Sequence, residues 1–480
     1  MKNLFLLALL AVVTCGCTED FEDINTNGNA PSQVQPELLL RQTIYGYADA
    51  MAYESFVAGN LLSQHLAMID FNLFDRHALA SPQEGGNPWP ILYTALRDAE
   101  TLLGLSRQNP AFAGYEGPAM ILKAYFAMQL TDLYGDVPFS EAINGREGNV
   151  TPAYDTQEDI YAEVDRLLAV ALDRMDAAAA GGAQPVLGDL IYNGDLDGWR
   201  QLAGSLQLRS IMMQLRGRPV VDVLIGELAT NGQLIDVAEE DATITFAAGQ
   251  PNNFPLANAR IGIFNVFLMS ETAEAVFAGL DDPREGVFYR PATATGDFTG
   301  IANGIDAASS IVPDNFARPG TIWREESAGL PFNFFTAWET NFLIAEARVR
   351  GVTTGRARAA YETAVRQAFA YWNTDMPDDY LTDGPAAWDD RATAEENLER
   401  ILTQKWIASM SNTYAGWTEW RRTGYPTAIR PAQASLNGGL IPVRMPYPAD
   451  EQALNFEAYQ SAAGATDNNS INAPVWWDVD

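Results

Sequence analysis

Apolar residues recur at steps of three and four along most of the chain beyond residue 37. The clearest run lies within Glu158–Asp176. Ile160, Val164, Leu167, Leu168, Ala171, Leu172 and Met175 share one face, and Glu163, Asp165, Arg166, Asp173 and Arg174 fill the other. That period is helical, and a one-sided apolar stripe must be buried against a partner. Ile121, Ala124, Tyr125 and Met128 repeat the pattern between Pro118 and Tyr134. Further helices are expected over 37–56, 88–107, 198–216, 220–230, 265–278, 335–350, 356–372, 394–410 and 449–461. Strand-like segments are few and short, around Ala242–Phe246 and Val287–Tyr289. The expected fold class is therefore all-α.

One helix pair carries a finer signature. Ala345, Ala357, Tyr361 and Ala364 match the small, small, large and small positions of a tetratricopeptide repeat. Small residues let two helices approach closely, and one aromatic fills the remaining gap. No strict 34-residue period runs through the chain, so any repeats have diverged and carry insertions. Residues 240–335 are rich in Asn, Gly, Pro and Thr, and 410–448 are similar. Loop-rich excursions on a rigid scaffold commonly carry binding residues.

The N-terminus suggests where the chain works. Lys2 precedes an unbroken apolar run, Leu4 to Val13, and then Thr14-Cys15-Gly16-Cys17. The run is too short for a bilayer, which needs ~20 apolar residues. It has the form of a secretory signal over 1–16, and Gly16 before Cys17 resembles a bacterial lipoprotein site. Cys17 is the expected lipidated residue. The acidic run Thr18-Glu19-Asp20-Phe21-Glu22-Asp23 resembles the surface-export tag of Bacteroidetes lipoproteins. Residues 17–36 read as a tether, with one domain over 37–480. Asp23-x-Asn25-x-Asn27-Gly28 looks like half of a calcium loop. Its twelfth position is Val34 rather than a bidentate glutamate, so no metal is expected there.

Charge and composition remove several function classes. With 62 acidic and 30 basic side chains the net charge is -32. That field repels nucleic acid and polyanionic surfaces. Cys15 and Cys17 are the only cysteines, so the body holds no disulfide and no cysteine nucleophile. His65 and His77 are the only histidines. There is no G-x-S-x-G elbow, no H-E-x-x-H and no phosphate-binding G-x-x-x-x-G-K-S/T loop. No catalytic residue, metal or cofactor is expected. An all-α glycoside hydrolase stays open, because it needs only two carboxylates.

Several strings then recur in a recognisable order. They are Asn87-Pro88-Trp89-Pro90-Ile91-Leu92-Tyr93, then Asp132-Leu133-Tyr134-Gly135-Asp136-Val137-Pro138, then Tyr192-Asn193-Gly194-Asp195 leading into Trp199. After Asp282-Pro283-Arg284 come Gln404-Lys405-Trp406 and Glu419-Trp420-Arg421-Arg422-Thr423-Gly424, then Ile441-Pro442-Val443-Arg444-Met445-Pro446-Tyr447-Pro448 and Trp476-Trp477. Together with the lipoprotein start they resemble the SusD/RagB-like (SusD-like) family of outer-membrane nutrient-binding lipoproteins. The resemblance implies a tetratricopeptide-like helical superhelix with a loop-rich ligand-facing insertion over about 240–335. It implies a lipid-anchored protein on the outer face of the outer membrane, partnered by a SusC-like TonB-dependent barrel. The cargo is an oligosaccharide or, as in RagB-type relatives, a peptide. Bland roles fit many of these strings: Gly135 as a turn, Asp195 and Asp197 at a helix start, Arg421-Arg422 as ion-pairing and stacking groups.

Sugars present apolar C–H faces that flat rings cover, while polar groups take the hydroxyls. Loop aromatics with polar neighbours are therefore the candidate contacts. Trp323 with Arg324 leads, supported by Trp89 with Asn87, by Tyr289, and by Phe71 and Phe74.

Overall fold

The computed structural model describes residues 34–80, 85–215, 228, 234–306 and 310–478. The signal segment, Cys17 and the tether up to residue 33 lie outside the described residues, as does nearly all of the helix expected over 220–230.

The first half is a row of packed helices. α1 (Pro36–Glu54) packs on α2 (Trp89–Gln108), α2 on α3 (Glu116–Tyr134), α3 on α4 (Gln157–Gly181), and α4 on α5 (Leu196–Met213). In α4 the apolar stripe is buried as its period demands, with Leu172 at its edge. The Thr156 side chain caps its start by accepting from the Asp159 amide, and Gly182 ends it at φ 68. α3 is the central helix, and every residue except Glu116, Lys123 and Gln129 is buried. A helix covered on all sides needs no polar face. Gly135 ends α3 at φ 76, in the left-handed region that suits glycine. Asp195 caps α5 by accepting from the Asp197 amide.

Eight short strands occur among the described residues: β1 (Leu66–Met68), β2 (Val137–Pro138), β3 (Tyr154–Asp155), β4 (Ala242–Thr245), β5 (Phe267–Met269), β6 (Tyr289–Arg290), β7 (Arg318–Pro319) and β8 (Pro331–Phe335). They form antiparallel pairs, β1 with β5, β2 with β3, β4 with β8 and β6 with β7. The loop-rich insertion is thus stitched to the helical body, with Leu66 opposite Met269. It carries α6 (Glu271–Leu280). The helix expected over 265–278 starts late because Phe267–Met269 pairs with β1, and Ser270 caps the helix that follows. A short apolar run does not distinguish a strand from a buried helix. Val287–Tyr289 is divided between a short helix, Glu285–Phe288, and β6.

The second half holds the tetratricopeptide-like pair, α7 (Ala337–Val349) and α8 (Ala357–Tyr371). Ala345, Tyr361 and Ala364 are buried at their crossing, while Ala357 is half-buried and Ala360 takes a buried position beside it. α9 (Ala394–Ala408) opens with a full capping box, Thr393 and Glu396. α10 (Ala415–Thr423) lies in a stretch read from sequence as loop. The span 449–461 divides at Asn455 into α11 (Ala449–Leu454) and α12 (Phe456–Ala465).

Two adjacent arginines of α10 tie the halves together. Arg422 forms a double-pronged contact with Glu346 of α7, both at 2.7 Å, and reaches Glu419 at 2.6 Å. Arg350 joins Glu346 at 2.8 Å and Lys405 joins Glu419 at 3.0 Å. Arg421 turns the other way, to the Asp132 carbonyl of α3 at 2.7 Å, and its guanidinium lies over the Trp417 and Trp477 rings. Burial alone would raise the Glu346 carboxyl, but the Arg422 guanidinium outweighs it and holds the group below its usual 4.5. Glu346→Gln should therefore cost about 3 kcal/mol, as breaking one buried pair does when a second carboxylate remains. The deficit should be full above pH 4.5 and shrink as acid protonates the wild-type carboxyl below it. Urea unfolding of both proteins from pH 7 down to pH 3 measures this.

A candidate ligand groove

The 441–448 strap crosses the C-terminal end of α3, where the Met445 amide donates to the Leu133 carbonyl at 2.7 Å. Arg444 anchors it from inside, donating to the Tyr134 carbonyl at 3.0 Å with its guanidinium 4.4 Å from the Tyr447 ring centre. Asn469 closes the other side. Its Oδ1 accepts from the Tyr447 amide at 2.8 Å and its Nδ2 donates to the Tyr447 carbonyl at 3.1 Å. Opposite the strap runs the segment before α2. Between them lies a groove of about 400 Å³. One wall is Leu79, Ala80, Gly86 and Asn87, the floor is Tyr134, and the far wall is Met445–Asp450, Gln452, Tyr459 and Asn469.

The groove joins rings to polar groups. Tyr447 lies 6.3 Å from Tyr459 and 5.1 Å from Tyr154, ring centre to ring centre. Trp89 backs the floor, its ring 4.8 Å from Tyr134 and nearly perpendicular to it. Asn87, Asp450 and Gln452 carry exposed side chains that make no hydrogen bond among the described residues. An amide, a carboxylate and a second amide beside the half-buried Tyr459 ring can take hydroxyl and C–H groups together.

The sequence matches the profile of the SusD-like family described as "Starch-binding associating with outer membrane" over residues 28–448. The chain belongs to the SusD-like family. No curated protein matches it. Similar solved structures include a chitin-binding protein (24% identity, TM-score 0.78, covering 93% of this chain and 100% of that one). A SusD homologue from Bacteroides fragilis is similar at 22% identity and TM-score 0.80, covering 93% of this chain and 100% of that one. A chitin-binding SusD homologue from Flavobacterium johnsoniae is similar at 21% identity and TM-score 0.79, covering 93% and 98%. Among the described residues no helix is long and apolar enough to cross a membrane.

In this SusD-like chain the candidate contacts read from sequence separate into two groups. Trp323 is 1% exposed, so it offers no open face. Its indole donates to the Phe288 carbonyl at 3.0 Å, and Phe56, Phe288 and Trp372 surround the ring. Tyr289 is equally buried and donates to the His65 carbonyl at 2.8 Å. Arg324 is half-buried, with Nε donating to the Ala259 carbonyl at 3.2 Å. Phe74 is buried beneath Gly86, where a Cβ would meet its ring at 2.3 Å. These are packing groups: the insertion folds Tyr289 and Trp323 inward onto the helices, and Phe74 is covered by the loop at Gly86.

The remaining candidates face outward or border the groove. Asn87 lines it and Trp89 supports its floor. Phe71 is 58% exposed, and its backbone φ of 51° is unusual for a non-glycine residue. Its loop is held by Asn72 donating to the Ile305 carbonyl and by Asp75 accepting from Met68, Asn303 and Gly304. Sequence reading missed Tyr447, Tyr459, Asp450, Gln452 and Asn469. For Tyr447 the hints were the loop-rich stretch 410–448 and the ordered string Ile441–Pro448 within it; the other four lie beyond both. Both histidines are core groups: burial lowers His65 to about 3 and His77 to about 4. His65 stacks 3.8 Å from Trp406.

The two groups should respond differently to truncation. Trp323→Ala should cost about 3–5 kcal/mol, as a buried large aromatic does. Phe71→Ala should stay within about 0.5 kcal/mol of wild type, as an exposed site does. Guanidinium unfolding of the two variants decides this.

Proposed function

We propose that this protein captures oligosaccharides at the cell surface and passes them, uncleaved, to a SusC-like TonB-dependent barrel. The observation that carries the reading is the groove of about 400 Å³, which sets the half-buried Tyr459 ring beside exposed Asn87, Asp450 and Gln452. Such walls suit a neutral sugar better than an anion, because among the described residues the carboxylate is the only charged wall group. Phe71 stands on the loop that leads into the same wall and supplies an outlying ring. The starch-binding description of the family and the chitin-binding relatives support a glycan as cargo. Lipidation at Cys17 would hold the chain at the outer membrane, facing outward.

A shallow open site of this kind binds weakly, with Kd in the order of micromolar to millimolar. Each ring contributes about 0.5–1.5 kcal/mol beyond its area. Calorimetry against oligosaccharides and peptides should give binding to a glycan, at least threefold weaker in Asn87→Ala and in Tyr459→Ala. Binding of peptides alone would replace the glycan with a peptide cargo. Release of shorter sugars by pure protein would make the protein a hydrolase. Cys17→Ala should move the protein from the membrane fraction to the soluble fraction. Mild detergent extraction of the wild type should recover a large β-barrel with it.

A further inference from the structure

The groove wall over Gly85–Trp89 has little structure of its own. Gly85 and Gly86 are the residues with most backbone freedom to lose, and Pro88 has no amide to donate. Yet the Gly86 amide finds a buried side chain. Gly86 donates to Glu54 Oε1 at 2.7 Å, and the Asn87 amide lies on the same side of the carboxylate and favours its charged form.

Glu54 is the last residue of α1, 5% exposed, and precedes a π-helical turn, Ser55–Gly59. π-turns concentrate at functional sites. The same Oε1 accepts from the Tyr414 hydroxyl at 2.5 Å. Gly85 packs on this group so closely that a Cβ would lie 2.1 Å from Val57 Cγ2 and 3.1 Å from Glu54 Oε2. Among the described residues no cation pairs with this carboxylate. Burial raises its pKa, and the hydrogen bonds from Tyr414 and Gly86, with the nearby Asn87 amide, oppose that rise. Burying an unpaired carboxylate is costly, and among the described residues this one accepts hydrogen bonds only from two neutral donors, the Gly86 amide and the Tyr414 hydroxyl. An apolar side chain would fill the space but could not hold the loop.

We infer that Glu54 is a positioning residue for the ligand site: its carboxylate, oriented by Tyr414, pins the Gly86 amide and thereby aims the side chain of the next residue, Asn87, into the groove. The inference rests on the proposed reading of the groove as the ligand site. It adds a buried residue outside the groove that sets the shape of one wall.

Amide hydrogen exchange across 80–92 tests it without any ligand. In Glu54→Ala the Gly86 amide should exchange roughly tenfold faster or more, the effect of losing a charge-assisted hydrogen bond, and Asn87 should follow as the loop opens. α4 should keep its wild-type protection. Glu54→Gln keeps an acceptor of the same shape and should restore protection to within about threefold. If Glu54→Ala does not fold, Tyr414→Phe gives the second reading, with Gly86 exchange rising severalfold while α1 stays protected. Unchanged exchange at Gly86 and Asn87 overturns the inference, as does equal loss of protection throughout α1 and α3. Calorimetry with the tightest-binding oligosaccharide should show at least a fivefold loss in Glu54→Ala and near-wild-type affinity in Glu54→Gln. If the wild type binds no glycan, the proposed function fails while the exchange result still decides the role of Glu54.

Discussion

Arg421 and Arg422 face opposite halves of the molecule from one turn of α10. Arg422 is held by Glu346 and Glu419, so it belongs to the tetratricopeptide-like half. Arg421 is held by the Asp132 carbonyl and by two tryptophan rings, so it belongs to the α3 half. Charged groups this deep repay their desolvation only when every partner is in place. They therefore specify one relative placement of the halves more than they add raw stability. Asp132 extends the network, accepting from the Tyr161 hydroxyl at 2.6 Å and the Trp477 indole at 3.0 Å. Burial pushes its carboxyl up to about 6 against those donors and the nearby Arg421.

The groove depends on that placement. The strap carrying Tyr447 is fixed at the end of α3 by Arg444, and the Val443 carbonyl accepts from Arg421 at 3.0 Å. The opposite wall is fixed by Glu54 at the end of α1. Tyr414, one residue before α10, reaches that same carboxylate. Both walls thus refer back to α10. The loop-rich insertion has a different part. Its strands pair with the helical body and with themselves, and its aromatics Phe288, Tyr289 and Trp323 close the core. Its polar loop at Asn303–Ile305 supports Asn72 and Asp75 beneath exposed Phe71.

Most of the helical fold was legible in the chain because its signals are local. The stripe of α4, the caps at Thr156 and Asp195, and the stop at Gly135 all act within a few residues. α10 was not legible, because it is a short helix whose buried face includes two arginines. The start of α6 was displaced by β1, which lies far away in sequence. Of the loop residues expected to contact a ligand, Asn87 lines the groove, Trp89 backs its floor and Phe71 is exposed. Trp323 and Tyr289 were read as open rings because their sequence neighbours are polar. Exposure depends instead on what covers a ring, and Phe56 and Trp372 come from other parts of the chain.

The sequence by itself determined the helical class, the caps and turns, and membership in a family whose ordered strings span most of the chain. Those properties depend on spacings of three, four and a few more residues, which a linear reading contains. Only the tertiary structure decided which polar and aromatic groups form a site. Glu54 and Tyr414 are separated by 360 positions and share one hydrogen bond. No local period encodes such a contact. It exists because packing the two halves through Arg421 and Arg422 leaves that carboxylate buried beneath the loop it must hold.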